Sequence, residues 1–167
     1  MTIFLSCCVP DSNVLIDFLQ AGILEVLFSL PCRWLLPDLT LAEMHTPDPH
    51  RLLDLGVEEA TFNREELHAI VQLRARYPAL SLPDCANLYV AHREHAILLT
   101  GDRRLRRIAE NDFGLQVRGT LWLLDHLLST GYLSRQGAAH ALRAMLEEGS
   151  RLPRAECERR LERWERS

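Results

Sequence analysis

Apolar residues along the chain fall into two patterns. Short continuous runs bounded by turn residues read as buried strands, and apolar positions recurring every three or four residues read as helices. Ile3 to Val9, Trp34 to Leu36, Val57 to Phe62, Ala96 to Leu99 and Gly114 to Arg118 show the first pattern. The second opens at Ser12 and runs to about residue 20 through Val14, Leu15, Phe18 and Leu19, and a short helix follows from Ile23 after the break at Ala21-Gly22. Asp38 is expected to cap a helix carrying Leu39, Leu41, Ala42 and Glu43. Two prolines make Thr46 to Pro49 a loop, and Arg51 to Leu55 is expected as a short helix ended by Gly56. Asn63, with Glu66 three residues on, has the form of a capping box for a helix that carries Leu67, Ile70, Val71 and Leu73 and stops at Tyr77-Pro78. Ser81-Leu82-Pro83-Asp84 opens another helix, with Ala86, Leu88, Tyr89, Val90 and Ala91 apolar. Further helices are expected over Arg103 to Glu110, before a turn at Asn111-Asp112, and over Leu121 to Leu128, Ser134 to Glu148 and Arg154 to Glu165. Strands alternating with helices predict an α/β domain with a mainly parallel sheet. No strand pattern follows residue 130, so residues 1–130 are expected to form the domain and 131–167 a helical extension packed on it.

Two of the strand patterns end on a carboxylate. Ile3 to Val9 leads into Pro10-Asp11-Ser12, and Ala96 to Leu99 leads into Thr100-Gly101-Asp102, each followed by a helix. In a parallel sheet with helical crossovers the carboxyl ends of the strands share one edge, where ligands bind. Asp11 and Asp102 are therefore expected at one edge, joined by Asp84 at the head of the helix that feeds the central strand and by Glu43 on the helix after Trp34 to Leu36. Taken singly, Asp11, Asp84 and Asp102 are ordinary helix caps and Glu43 an ordinary solvated residue; their joint placement makes them a candidate site. Carboxylates gathered in one hollow raise one another's pKa values, a situation a divalent cation relieves. Oxygen-only ligands favour Mg²⁺ or Mn²⁺ over zinc, and such ions activate water and stabilise phosphoryl displacement.

Composition narrows the class. With 167 residues, 47% hydrophobic and 25% charged, the chain has the make-up of a soluble globular domain. No apolar run approaches the ~20 residues of a membrane span, and Met1-Thr2-Ile3 lacks the positive start of a signal peptide. Five cysteines without a CxxC spacing suggest neither a zinc site nor a disulfide framework, and a cytoplasmic location is expected. Cys7 and Cys8 are expected on opposite faces of their strand. The net charge of −4 argues against broad attraction to nucleic acid, while leaving room for a local basic patch; all 19 basic residues are arginine. A dinucleotide-binding site is disfavoured by the absence of Gly-x-Gly-x-x-Gly after the first strand.

Four segments together resemble the PIN-domain family. Asp11-Ser12-Asn13-Val14-Leu15-Ile16 resembles its opening motif, Pro37-Asp38-Leu39-Thr40-Leu41-Ala42-Glu43 the second, Leu82-Pro83-Asp84-Cys85-Ala86-Asn87-Leu88-Tyr89-Val90-Ala91 the third, and Leu98-Leu99-Thr100-Gly101-Asp102-Arg103-Arg104-Leu105 the fourth. The resemblance spans about residues 1 to 130, and the later Gly119 to Leu124 and Gly131-Tyr132-Leu133 are similar to a subgroup with a helical C-terminal end. It implies a PIN-like three-layer α/β/α fold and a metal-dependent endoribonuclease. By it, Asp11, Glu43, Asp84 and Asp102 would hold Mg²⁺ or Mn²⁺ for hydrolysis of RNA phosphodiesters, with Thr100 supporting Asp102 and Ser12 a further support to the ligands. It also implies VapC-like toxin relatives, an antitoxin protein as partner and a homodimer. The alternative is a catalytically quiet PIN-like protein that binds a partner, which the apolar C-terminal helices and the negative charge suit.

Other residues give weaker signals. Arg103, Arg104, Arg106 and Arg107 follow Asp102 and are candidate RNA contacts, set against a plain solvated helix face. His92 and His95 share a helix but lie beyond the predicted edge, and a surface position is expected for both. His45 and His50 flank the proline-rich loop. Trp34 and Trp122 are expected in the core. Asp17 lies about 240° around the helix from residue 11 and is expected to point elsewhere; Asp38 is expected to cap rather than to bind metal.

Overall fold

The computed structural model describes residues 5–166. Among them five strands, β1 (Cys7–Pro10), β2 (Arg33–Pro37), β3 (Glu58–Ala60), β4 (Ile97–Leu99) and β5 (Val117–Arg118), form an all-parallel sheet in the order β3-β2-β1-β4-β5. Ten helices connect and cover it: α1 (Ser12–Gln20), α2 (Leu24–Phe28), α3 (Asp38–Glu43), α4 (Pro49–Asp54), α5 (Arg64–Arg76), α6 (Leu82–Arg93), α7 (Arg103–Phe113), α8 (Thr120–Ser129), α9 (Arg135–Glu147) and α10 (Arg154–Glu165).

The central strands β1 and β4 and all of β2 but Arg33 are buried on both faces, as a parallel sheet between helical layers requires, while the edge strand β3 exposes Glu58 and Glu59. Cys8, Trp34, Leu36 and Leu99 face one layer, where they share a core with Leu15 and Phe18 of α1, Leu124 of α8, Leu142 of α9 and Trp164 of α10. Cys7, Val9, Leu35 and Leu98 face the other, with Ile70 of α5, Leu88 of α6 and Leu105 of α7. This is a three-layer α/β/α fold. Cys7 and Cys8 do part to opposite faces, and all five cysteines are free thiols. The apolar positions after residue 130 fill the first layer, so α9 and α10 add to a core begun by α1.

The topology creates a switch point. The chain runs from β1 outward through β2 to β3, then returns to lay β4 on the other side of β1. Helices leave β1 and β4 in different directions, opening a crevice beyond their carboxyl ends. Register keeps those ends level: Pro10 pairs with Leu99, and the Asp11 N–H donates to the Leu99 carbonyl at 2.7 Å.

Several boundaries differ from the sequence pattern. The first strand begins at Cys7 and reaches Pro10; Ile3 and Phe4 lie outside the described residues. α4 starts at Pro49 rather than Arg51, because proline at the first helical turn forgoes an N–H that has no partner anyway, and the Asp48 carboxylate caps the His50 N–H at 3.0 Å. Pro37, not Asp38, is the cap residue of α3; Asp38 is the first helical residue, and its Oδ1 accepts from the Leu39 N–H at 2.7 Å. No turn forms at Asn111-Asp112. There α7 continues to Phe113, held by the Tyr77 hydroxyl donating to Asp112 at 2.7 Å, and stops at Gly114 with φ of 63°, a left-handed terminus that glycine adopts without strain. Gly114 to Gln116 are thereby drawn out of the last strand, leaving Val117–Arg118. β3 keeps three of its six expected residues at the sheet edge. The capping box of α5 forms as expected, Asn63 and Glu66 bonding reciprocally at 2.8 and 3.0 Å.

Candidate metal centre

Each predicted acid reaches the crevice on a different element. Asp11 follows β1, Glu43 ends α3 after β2, Asp84 lies in the first turn of α6, and Asp102 is the cap residue of α7 after β4. All four line one hollow of about 300 Å³, together with Ser12, Asn13, Thr40, Ser81 and Asn87. No basic side chain is part of that lining. Three helices, α1, α6 and α7, begin there, and their N-terminal N–H groups offset part of the negative charge.

The carboxylates are held, but not used up. Thr100, fully buried, donates its hydroxyl to Asp11 Oδ2 at 2.9 Å and accepts from the Asp102 N–H at 3.1 Å, so one side chain ties the two strand-end acids together. Its bond to a carboxylate is thus made to Asp11, while Asp102 is held through its backbone. Ser12 Oγ lies 3.4 Å from Asp11 Oδ1. Asp84 Oδ2 accepts from the Ser81 N–H at 3.0 Å, and Ser81 Oγ accepts from the Asp84 N–H at 3.1 Å, a second capping box. Asp102 Oδ1 accepts from the Arg104 and Leu105 N–H groups at 2.8 and 3.1 Å. Asp84 and Asp102 therefore do cap their helices, each through one oxygen. The other oxygen of each accepts no protein hydrogen bond among the described residues. Asp11 stands where a cap residue would, yet its side chain makes no cap bond and bonds to Thr100 instead. Burial pushes the Asp11 carboxyl above the usual carboxylate value, the charges of Asp84 and Asp102 add to that rise, and the Thr100 hydroxyl opposes it.

This donor set fits a hard divalent cation of the Mg²⁺ or Mn²⁺ type. The lining supplies oxygen donors, with no cysteine or histidine among them, and negative charge without a basic neighbour. As the side chains stand, no group of three or more His, Cys, Asp or Glu among the described residues is gathered closely enough to hold a metal ion. Mg²⁺ usually keeps several waters and is held through one or two carboxylates plus a substrate phosphate.

Two polar residues of the hollow escaped the sequence pattern. Asn87, one turn after Asp84, is buried within an apolar stretch and accepts the Thr40 hydroxyl at 2.8 Å, locking α3 to α6 behind Glu43 and Asp84. A lone amide in the apolar run Cys85 to Ala91, three residues after the acid, was the available signal. Of the four candidate arginines, Arg103 and Arg106 line a second, larger cavity beside the hollow, whereas Arg104 and Arg107 line neither. Asp38, His45, His50, His92 and His95 are absent from both linings. Trp34 is core, but Trp122 is only half-buried: it lines the second cavity with the Arg118 guanidinium 5.6 Å from its ring centre.

Asp17 does point away, into that second cavity. There it accepts the hydroxyls of Ser150 at 2.6 Å and Thr120 at 2.7 Å, fastening α1 to α8 and to the α9–α10 link. Burial raises the Asp17 carboxyl above its ordinary value, and these two hydroxyls oppose the rise. The folded protein thus binds this proton more tightly than the unfolded chain. Its contribution to stability is complete below the ordinary carboxylate value of about 4 and is lost as pH rises through the folded-state value. Denaturation curves across pH 4–7 should show wild type losing stability relative to Asp17→Asn as pH rises; a difference constant with pH would contradict this.

An α/β/α domain with carboxylates gathered at its topological switch point has the layout of an α/β fold that binds a ligand in that crevice. A family model described as a PIN domain (DUF3368) matches residues 7–166, and the chain belongs to the PIN-domain family, whose members are generally nucleases. A search of characterised proteins finds no match to the chain.

Proposed function

We propose that this protein is a Mg²⁺- or Mn²⁺-dependent endoribonuclease. The observation that carries the proposal is the meeting of Asp11, Glu43, Asp84 and Asp102, from four separate segments, in one hollow whose lining has no basic side chain. Asp11, Asp84 and Asp102 would hold the cation, with Glu43 at the open side of the hollow. When bound, such a cation lowers the pKa of water and neutralises charge on the phosphoryl oxygens. The chain's own work is positional. Thr100 fixes the Asp11 carboxylate, Ser81 and the first turn of α7 fix one oxygen each of Asp84 and Asp102, and the paired Asn87 and Thr40 fix the floor. The division into a catalytic domain over residues 1–130 and a packed helical extension over 131–167 belongs to this proposal, as do a toxin role with an antitoxin partner and a homodimer, which rest on the family resemblance alone.

The test is cleavage of a mixed pool of structured RNAs with Mn²⁺, with EDTA and the Asp84→Asn protein as controls. Fragments that vanish in both controls support a metal ribonuclease. Fragments that persist in Asp84→Asn would refute this site. No cleavage together with no Mn²⁺-induced thermal shift would favour the protein-binding alternative.

A further inference from the structure

The hollow has a larger neighbour. A cavity of about 1110 Å³ opens between α1, the start of α7, β5, α8 and the link joining α9 to α10. It adjoins the acidic hollow directly, because Asn13 and Asp102 line both.

Its charged groups differ from those of the hollow. Arg103, Arg106, Arg118, Arg151 and Arg160 all line it. Arg160 is committed to Asp125, with three contacts of 2.7 to 3.2 Å, and Arg106 is loosely paired with Glu110 at 3.8 Å. Arg103, Arg118 and Arg151 form no ion pair among the described residues. Arg118 is nonetheless held in place: it donates to the Val117 carbonyl at 2.9 Å and lies against the Trp122 ring. The carboxylates on this lining are Asp17, Asp102, Glu148 and Glu156. Asp17 is occupied by two hydroxyls, Asp102 gives one oxygen to the first turn of α7, and Glu148 and Glu156, like the three arginines, form no ion pair among the described residues. Guanidiniums without carboxylate partners, one of them fixed against an aromatic ring, are suited to phosphate oxygens.

We infer that this cavity is a phosphate-binding tract for the nucleic-acid strand, in which Arg103, Arg118 and Arg151 take backbone phosphates flanking the one cleaved in the hollow. The inference rests on the nuclease proposal for its ligand class. It gives the C-terminal helices a task beyond packing, since their link supplies Arg151 and, through Ser150 and Asp17, one wall of the tract. Each phosphate contact lowers the slope of log K against log salt by about 0.7 for a single strand.

The test is binding, kept separate from cleavage. Fluorescence anisotropy of a labelled single-stranded 12-nucleotide RNA is followed in EDTA from low to high salt, with wild type, Arg118→Gln, Arg151→Gln and, as a basic residue of α5 outside both cavities, Arg64→Gln. Arg118→Gln and Arg151→Gln should each weaken binding and flatten the salt slope by about 0.7, while Arg64→Gln leaves both unchanged. Arg151 is exposed on the link, so its variant keeps the test valid should Arg118→Gln fold poorly. Unchanged slopes in both cavity variants, or an equal loss in Arg64→Gln, would overturn the tract. RNA bound in this pattern but never cut with Mn²⁺ would leave the tract standing and refute the catalytic proposal; RNA cut with Mn²⁺ but bound without dependence on Arg118 and Arg151 would do the reverse.

Discussion

Asp84→Asn should reduce RNA cleavage about 10³-fold or more while leaving the protein folded. A cation at a reacting phosphate supplies several kcal/mol of transition-state stabilisation, and each ~1.4 kcal/mol is tenfold in rate. The fold should persist because the asparagine keeps an oxygen where Asp84 Oδ2 accepts the Ser81 N–H, and its backbone N–H still donates to Ser81 Oγ. Asp11→Asn should lose activity as severely, with a different effect on stability. Its carboxylate is buried, raised by that burial and by the charges of Asp84 and Asp102, and bonded to Thr100. An amide oxygen still accepts the Thr100 hydroxyl, and the buried charge is gone, so the metal-free variant should melt at or above the wild-type temperature near neutral pH. Kinetics and thermal melts on the same preparations check both parts. A variant that unfolds would show that its acid is structural, and one that cuts RNA at the wild-type rate would show that its acid is idle.

Leu142→Ala should destabilise the protein by about 2–5 kcal/mol, the range for truncating a fully buried leucine. Leu142 lies on α9, yet it is completely buried in the core that contains Leu15 and Phe18 of α1. α1 begins at the acidic hollow, so loosening α9 removes support from the helix that follows Asp11. The melting temperature should fall by roughly 5–15 °C on the scale of ~2–4 °C per kcal/mol for a chain of this size. Arg143→Ala, one residue on, removes an exposed ion pair with Glu165 and should change the melting temperature little. Equal, small effects in both variants would mean that the C-terminal helices lie loosely on the domain.

How much of this was legible in the sequence depends on how far apart the interacting residues lie. Asp11 and Asp102 could be placed at one edge because each ends an apolar strand run, and a parallel sheet aligns such ends. The layer structure followed from the same alternation of strand and helix. Boundaries set by single backbone events were not legible: the left-handed stop at Gly114, which lengthened α7 and shortened β5, and the proline start of α4. Cap and ligand are not exclusive roles for Asp84 and Asp102, since a carboxylate has two oxygens and the helix takes one. The second cavity left no local signature. It depends on Asp17 meeting Ser150 across 133 positions of chain and Thr120 across 103. Trp122 looked like core by its apolar neighbours, but it occupies the cavity wall, where Arg118 covers its ring.

The central claim is that these acids bind a divalent cation, and its most direct measurement is the Mn²⁺ dependence of thermal stability in wild type and in Asp84→Asn. A ligand that binds only the folded state adds about 2.7 kcal/mol at a concentration 100 times its Kd, which for a chain of this size is on the order of 5–10 °C. The account predicts a saturable rise in the wild-type melting temperature that Asp84→Asn abolishes or moves to far higher Mn²⁺. No rise in the wild type, or the same rise in both proteins, would contradict it.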